Sequence, residues 1–306
     1  MSSVLSAPPE YDLTIRVGCS LGYQVTGTAS ILLNLGLRPD GAHEVLAEGI
    51  TFGRNLKTEE FWDCNQNRVR RVTLEPGLNF IRHDAIVAVS SQIENRGFFA
   101  PPVPAERLPV ELLRYTLPSR YCDSDKLADF AWQKFGHIEH GLPRVEAISQ
   151  WLHDNIEYRY MSGRPDISAW DVLQRGYGVC RDFAHLVVAL NRSFNLPARY
   201  VTGHLPDIAF PVGDAAMDFH AYGEVFVGGR WYTSDARFHV PRIGRIKIAC
   251  GMDAVDCAFS TIFGGASMTY FEVWAYQVRR GTVGVGDPID LTQRLDNQWT
   301  IQRDLA

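Results

Sequence analysis

At 306 residues the chain exceeds the length at which a single hydrophobic core stops growing, which favours two domains. Its 46% hydrophobic and 21% charged composition is that of an ordinary globular protein, and a net charge of −5 offers no footprint for nucleic acid or an anionic membrane. No stretch reaches the roughly 18 apolar residues of a membrane span, "MSSVLSAPPEYDL" lacks the regions of a secretory signal, and six cysteines without a C-x-x-C pair read as free thiols, so a cytoplasmic location is expected.

The first hundred residues alternate with period two. "YDLTIRVGCS", "YQVTGTASILLNL", "HEVLAEGITF", "NRVRRVTLEPG" and "NFIRHDAIVAVSS" mix β-branched and polar positions between Gly, Pro, Asn and Asp, which predicts a β-sandwich over residues 1–110. The Pro-rich "GFFAPPVPAERLP", residues 97–109, reads as the crossing to a second domain, 111–306.

Helical spacing takes over after Tyr121. In "DSDKLADFAWQKFG" the residues Leu127, Phe130, Ala131 and Lys134 recur at the helical period, and Gly136 is a stop signal. "LPRVEAISQWLHDNIEY" places Val145, Ile148, Leu152 and Ile156 on one face, and "SAWDVLQRG" carries a capping box, Ser168 with Asp171. A helix follows from Cys180, with Phe183, Leu186, Val187, Leu190 and Phe194 as its apolar stripe. Beyond Asn195 the period returns to two. "ARYVTGHL", "HAYGEVFV", "RWYTSDA", "RIKIAC" and "TYFEVWAYQV" predict one antiparallel sheet, so the fold class is α+β with a β-sandwich ahead of a helix-then-sheet domain.

The chemistry sits in "GYGVCRDFAHL" and "DFHAYGEVFVGGRWYTSDAR". Gly176 and Gly178 suit a tight turn that delivers Cys180 to a helix N-terminus, where the dipole and free amides favour a thiolate. A buried structural cysteine would occupy the same place. In the second segment Gly228-Gly229 is a two-residue hairpin signal. It sets Val227 opposite Arg230, Phe226 opposite Trp231 and Tyr222 opposite Asp235, which makes His220 and Asp235 diagonal neighbours on one face. A base beside an orienting carboxylate is what a cysteine nucleophile requires.

Together, "GVCRDFAHL", "ARYVTGHLP" and "HAYGEVFVGGRWYTSD" resemble the core of bacterial transglutaminase-like proteins, relatives of papain-type cysteine peptidases. The resemblance covers residues 115–275 strongly and the N-terminal strands more weakly. It implies Cys180 as nucleophile, His220 as general base and Asp235 as its orienter, with an aromatic second oxyanion donor for which Tyr160, then Trp170, are candidates. Tyr222 and Asp235-Ala236 stand where the family commonly has Trp and Asp-Pro, and Tyr222 and Asp182 are candidate groove residues.

The expected activity is hydrolysis of a peptide or amide bond in a peptide or protein substrate through a thioester. Transfer to an amine, as in a transglutaminase, and a catalytically silent peptide-binding module are the alternatives. No metal, cofactor, nucleic-acid or membrane partner is expected, and the sequence leaves the oligomeric state open. "GCSLG", residues 18–22, matches the G-x-S-x-G elbow but precedes a strand-like run, so it reads as a β-turn. His137 and His140 in "HIEH" read as a solvated loop.

Overall fold

The segment from Leu13 to Val25, apolar at every second position, forms one 13-residue strand, β1, of which 11 positions are buried. Its neighbours explain that density, because a strand flanked on both sides and covered on both faces buries its polar positions as well, Thr14 and Arg16 among them. In the computed structural model, which describes residues 11–93, 101–211 and 216–296, β1 pairs with β6 (Gly77–Val89) on one side and β14 (Ala266–Val278) on the other. With β3 (His43–Phe52) these make an antiparallel sheet in the order β14-β1-β6-β3.

A second antiparallel sheet, β13-β2-β5-β4, combines β13 (Ser260–Phe263), β2 (Ala29–Asn34), β5 (Arg68–Leu74) and β4 (Lys57–Trp62). Cys19, Leu21 and Tyr23 of β1 pack with Ile31, Leu33, Val72 and Leu74 to close the sandwich core. Three sequence expectations change here. Strand β4 went unread, since "KTEEFW" has too many charges for a strand pattern, and the pairs Arg71–Glu59 and Arg70–Glu60 hold it to β5. "GCSLG" lies within the continuous strand β1, not in a turn. "TYFEVWAYQV" joins β1 of the sandwich, not the sheet of the His-Asp hairpin, so the strands of the sandwich come from both ends of the chain. Of the expected crossing at 97–109, residues 97–100 lie outside the described residues.

The middle of the chain forms α1 (Ser124–Phe135), α2 (Leu142–Asn155), α3 (Ala169–Arg175) and α4 (Cys180–Arg192). Next come β9 (Ala198–His204), β10 (His220–Val227), β11 (Arg230–Ser234) and β12 (Ile246–Gly251), one antiparallel sheet in the order β11-β10-β9-β12. The short parallel pair β7 (Glu157–Tyr158) and β8 (Tyr177–Gly178) completes the domain. Helix α4 packs against β9 and β10 and is buried on every side from Asp182 to Arg192. Its polar residues are therefore accounted for internally. The Arg192 guanidinium, for example, donates to the carbonyls of Leu117, Ala198 and Met252 at 2.8–3.0 Å.

The two halves share a core. Leu13, Ile15 and Val17 of β1, with Ala85, Val87 and Val89 of β6, belong to the same apolar cluster as Leu127, Ile148, Leu186 and Val225. No helix among the described residues is long and apolar enough to cross a membrane.

Candidate active site

The turn into α4 is built around one carboxylate. Asp182, fully buried, accepts from the Val179 N–H at 3.0 Å and from the Arg175 and Arg181 guanidiniums at 2.8 and 3.0 Å. A Cβ on Gly178 would come within 2.7 Å of the Asp182 Cβ, so the close approach requires glycine there. Expected as a groove residue, Asp182 instead supports the turn from behind. Cys180, half-buried, takes the first helical position, where its own N–H has no acceptor within the helix.

The hairpin forms with the register that its loop specifies. Gly228 and Gly229 adopt φ of 59° and 88°, and Val227 pairs Arg230, Phe226 pairs Trp231 and Gly223 pairs Ser234. His220 opens β10 and Asp235 follows β11, and their side chains meet at 2.7 Å between Nε2 and Oδ2. An ionised carboxylate only accepts, so Nε2 carries the proton and Nδ1 keeps a lone pair. That Nδ1 is buried and has no hydrogen-bond partner.

Arg245, unread in the sequence, adds a second donor to the same oxygen at 2.8 Å and lies 4.7 Å over the Tyr222 ring. Tyr222, a candidate groove residue, is 3% exposed and stacks on His220 with centroids 6.1 Å apart, so it backs the imidazole without reaching the cleft. Asp235, which accepts from the His220 ring and the Arg245 guanidinium, is held well below the usual carboxylate range in spite of its burial.

Cys180 and His220 line one cavity of about 450 Å³, together with Tyr121, Tyr200, Asp218 and Phe219. Burial pushes the thiol up, while the Arg237 guanidinium and a hydrogen bond from the Ala221 backbone pull it down. Burial also pushes the His220 imidazole down, against the pull of Asp235 and with Arg245 and Arg237 acting in the same sense as burial. Enclosure thus opposes the thiolate that the helix terminus favours, and burial favours the neutral forms of both thiol and imidazole.

The two candidate oxyanion aromatics lie apart from this geometry. Tyr160 is 50% exposed in the loop after β7. Trp170, the second residue of α3, has its backbone N–H bonded to Asp123 at 3.1 Å and its ring against the apolar core. Tyr158 stands closer. It pairs with Gly178, two residues before Cys180, carries Arg237 3.8 Å over its ring, and has its phenol pushed up by burial and by the charges of Cys180 and Asp218. A two-residue strand carries no periodicity, and so no sequence signal distinguished Tyr158 from Tyr160. His140 contacts Arg144 at 3.1 Å, and among the described residues no group of three or more His, Cys, Asp or Glu could hold a metal ion.

Residues 130–236 match the transglutaminase-like superfamily. The chain is similar to a candidate cysteine protease from Cytophaga hutchinsonii of known structure, with 31% identity, a TM-score of 0.79, and coverage of 89% of this chain and 92% of that one. The chain belongs to the transglutaminase-like superfamily. An uncharacterized protein of Mycobacterium leprae, ML0607, is 31% identical over 137 residues, which are 42% of this chain and 47% of that protein, so the match spans about half of that relative. In this superfamily member the family match ends at Asp235-Ala236, the pair that closes the hairpin.

Proposed function

We propose that the protein is a cysteine-nucleophile amide hydrolase in which Cys180, His220 and Asp235 form the triad. One observation carries the reading: His220, held by Asp235 at 2.7 Å with Nδ1 left as a base, lines the same cavity as a cysteine at a helix N-terminus. Superfamily membership and the similarity to a candidate cysteine protease support cysteine-based chemistry.

In the proposed sequence His220 Nδ1 takes the thiol proton as Sγ attacks the carbonyl carbon of the scissile amide. The oxyanion is met by the Cys180 N–H and by the Tyr158 hydroxyl, in preference to Tyr160 or Trp170. Imidazolium, stabilised by Asp235, gives its proton to the leaving nitrogen, and a thioester to Cys180 remains. Water, deprotonated by the same Nδ1, attacks the thioester and releases the acid and the thiol. The sandwich, in this reading, supplies one wall of the cleft through Phe259, Ser260 and Thr261. Six unpaired cysteines accord with a reducing compartment such as the cytoplasm.

The test is alkylation by iodoacetamide across pH, mapped by mass spectrometry, with product analysis on glutamine-containing peptides in the presence and absence of a fluorescent primary amine. Cys180 is expected to outpace exposed Cys64, to slow as pH falls below the usual histidine range, and to slow throughout in His220→Ala. Released acid marks the hydrolase, and an incorporated amine marks transfer. A Cys180 no faster than Cys64, with or without His220, overturns the triad.

A further inference from the structure

The cleft carries a charge arrangement that the triad does not use. Arg120 is exposed, lines the cavity, and has no carboxylate within 4.0 Å among the described residues; its guanidinium lies 5.0 Å over the Tyr121 ring. Arg181, the residue after Cys180, lines the same cavity and sits 5.8 Å over that ring. Its carboxylate partner, Asp182, is shared with Arg175, so two guanidiniums divide one negative charge.

Tyr121 is fixed from three directions. Its hydroxyl donates to the Pro165 carbonyl at 2.6 Å, its N–H to Asp253 at 3.0 Å, and its ring stacks on buried His185 at 5.1 Å, which in turn packs on Tyr200 at 5.0 Å. Asp253 lies behind this platform, buried and within the field of Arg192. The carboxylate that does face the cavity, Asp218, is exposed and shares its surroundings with Arg237. Of the charged side chains that line the cavity, Arg120 and Arg181 therefore outnumber Asp218, in a chain whose net charge is −5. An unpaired guanidinium on a rigid aromatic support is a ready fork for a carboxylate.

We infer that the substrate is anionic: a peptide or amide that sets a carboxylate against Arg120 and Arg181, beside the bond presented to Cys180. This rests on Cys180 being the nucleophile, and the following experiment separates the two ideas. The full-length protein is alkylated at neutral pH and low salt with iodoacetate and, separately, with iodoacetamide, and the rates at Cys180 are referred to those of free glutathione. The charged reagent is expected to gain about fivefold relative to the neutral one at Cys180, as one screened charge contact provides. That gain is expected to collapse in Arg120→Gln, to persist in Arg120→Lys, and to shrink at high salt.

A second arm uses pentapeptides as protectants. A Glu-containing peptide should slow iodoacetamide labelling of Cys180 in wild type more than its Gln counterpart does, and that difference should vanish in Arg120→Gln. A reactive Cys180 with the same reagent ratio in wild type and Arg120→Gln, or equal protection by the two peptides, overturns the inference while leaving the nucleophile standing. Labelling no faster than that of glutathione by either reagent removes the nucleophile and the inference with it.

Discussion

Asp235 receives two donors on a single oxygen, His220 at 2.7 Å and Arg245 at 2.8 Å, and this sharing sets the character of the base. A carboxylate answering to histidine alone would draw the imidazole toward its protonated form. With Arg245 8% exposed and already compensating Asp235, part of that pull is cancelled. Burial then keeps His220 neutral below the usual histidine range. Replacing Arg245 with Met removes a cation near the ring, so the His220 pKa should rise and the acid limb of the alkylation profile should move to higher pH. Arg245→Lys should restore most of the difference. Histidine NMR titration reads this without an assay, and an unmoved His220 resonance in Arg245→Met would show that the guanidinium only holds Asp235 in place.

At the scale of elements, the turn between α3 and α4 is the device that presents the cysteine. Ser168 and Asp171 cap α3, with Asp171 accepting from the Ser168 N–H at 2.8 Å, and Asp182 performs the equivalent service for α4. Gly178→Ala would drive a methyl into Asp182, whose carboxylate is already held by Arg175, Arg181 and Val179. The expected cost is about 1–3 kcal/mol, read as a lower urea midpoint with an unchanged slope. A midpoint equal to wild type would mean that Asp182 has room to retreat. This element also shows where the sequence is legible. The His220–Asp235 diagonal could be read because two glycines fix a hairpin's length, and the period of two then places every side chain. Arg245 could not, since it arrives through a loop just before β12, across β9 from the hairpin. Tyr158 was hidden by the brevity of β7, and β14 by the fact that local alternation marks a strand without naming its partner. The helix stripe of α4 is legible in Phe183, Leu186, Val187 and Leu190, all buried, while Phe194, buried too, lies just past the helix end. The opposite face of α4 is buried as well, and only the surrounding elements could reveal that.

For the molecule as a whole, several imidazoles are enclosed in neutral form. His185 is fully buried, its Nε2 accepting from the Ala254 N–H at 3.2 Å, and burial holds it well below its ordinary value. His204 at the end of β9 is 2% exposed, packs 5.2 Å from Phe219, has no hydrogen-bond partner at either ring nitrogen, and is pushed down to about 3. Each such group has a folded pKa below its unfolded one, so its contribution is whole above about pH 6.5 and is lost as pH falls toward the folded value. The unfolding free energy should accordingly decline with acid, by about 1.4 kcal/mol per pH unit for each buried imidazole. His204→Phe should remove one such increment between about pH 6 and 4 while leaving the urea midpoint at neutral pH no lower. A pH slope identical to wild type would show that His204 is solvated before the fold is lost.

The same enclosure binds the two halves together. Strand β1 contributes Cys19, Leu21 and Tyr23 to the sandwich core and Leu13, Ile15 and Val17 to the core around α4. Strand β14 returns from the far end of the chain to pair with β1 from Thr14–Val278 to Val25–Ala266, burying Trp274 and Tyr276. A chain divided at residue 110 would leave β14 with a bare edge and the helical core without its β1 wall. The intact protein is therefore expected to unfold in urea through one transition, coincident by far-UV circular dichroism and tryptophan fluorescence. Residues 111–306 expressed alone should fail to give a cooperative transition at all. Two separated transitions in the intact chain, or a cooperative fold for 111–306, would mean that the sandwich and the catalytic core meet as independent domains, and that the continuity through β1 contributes little.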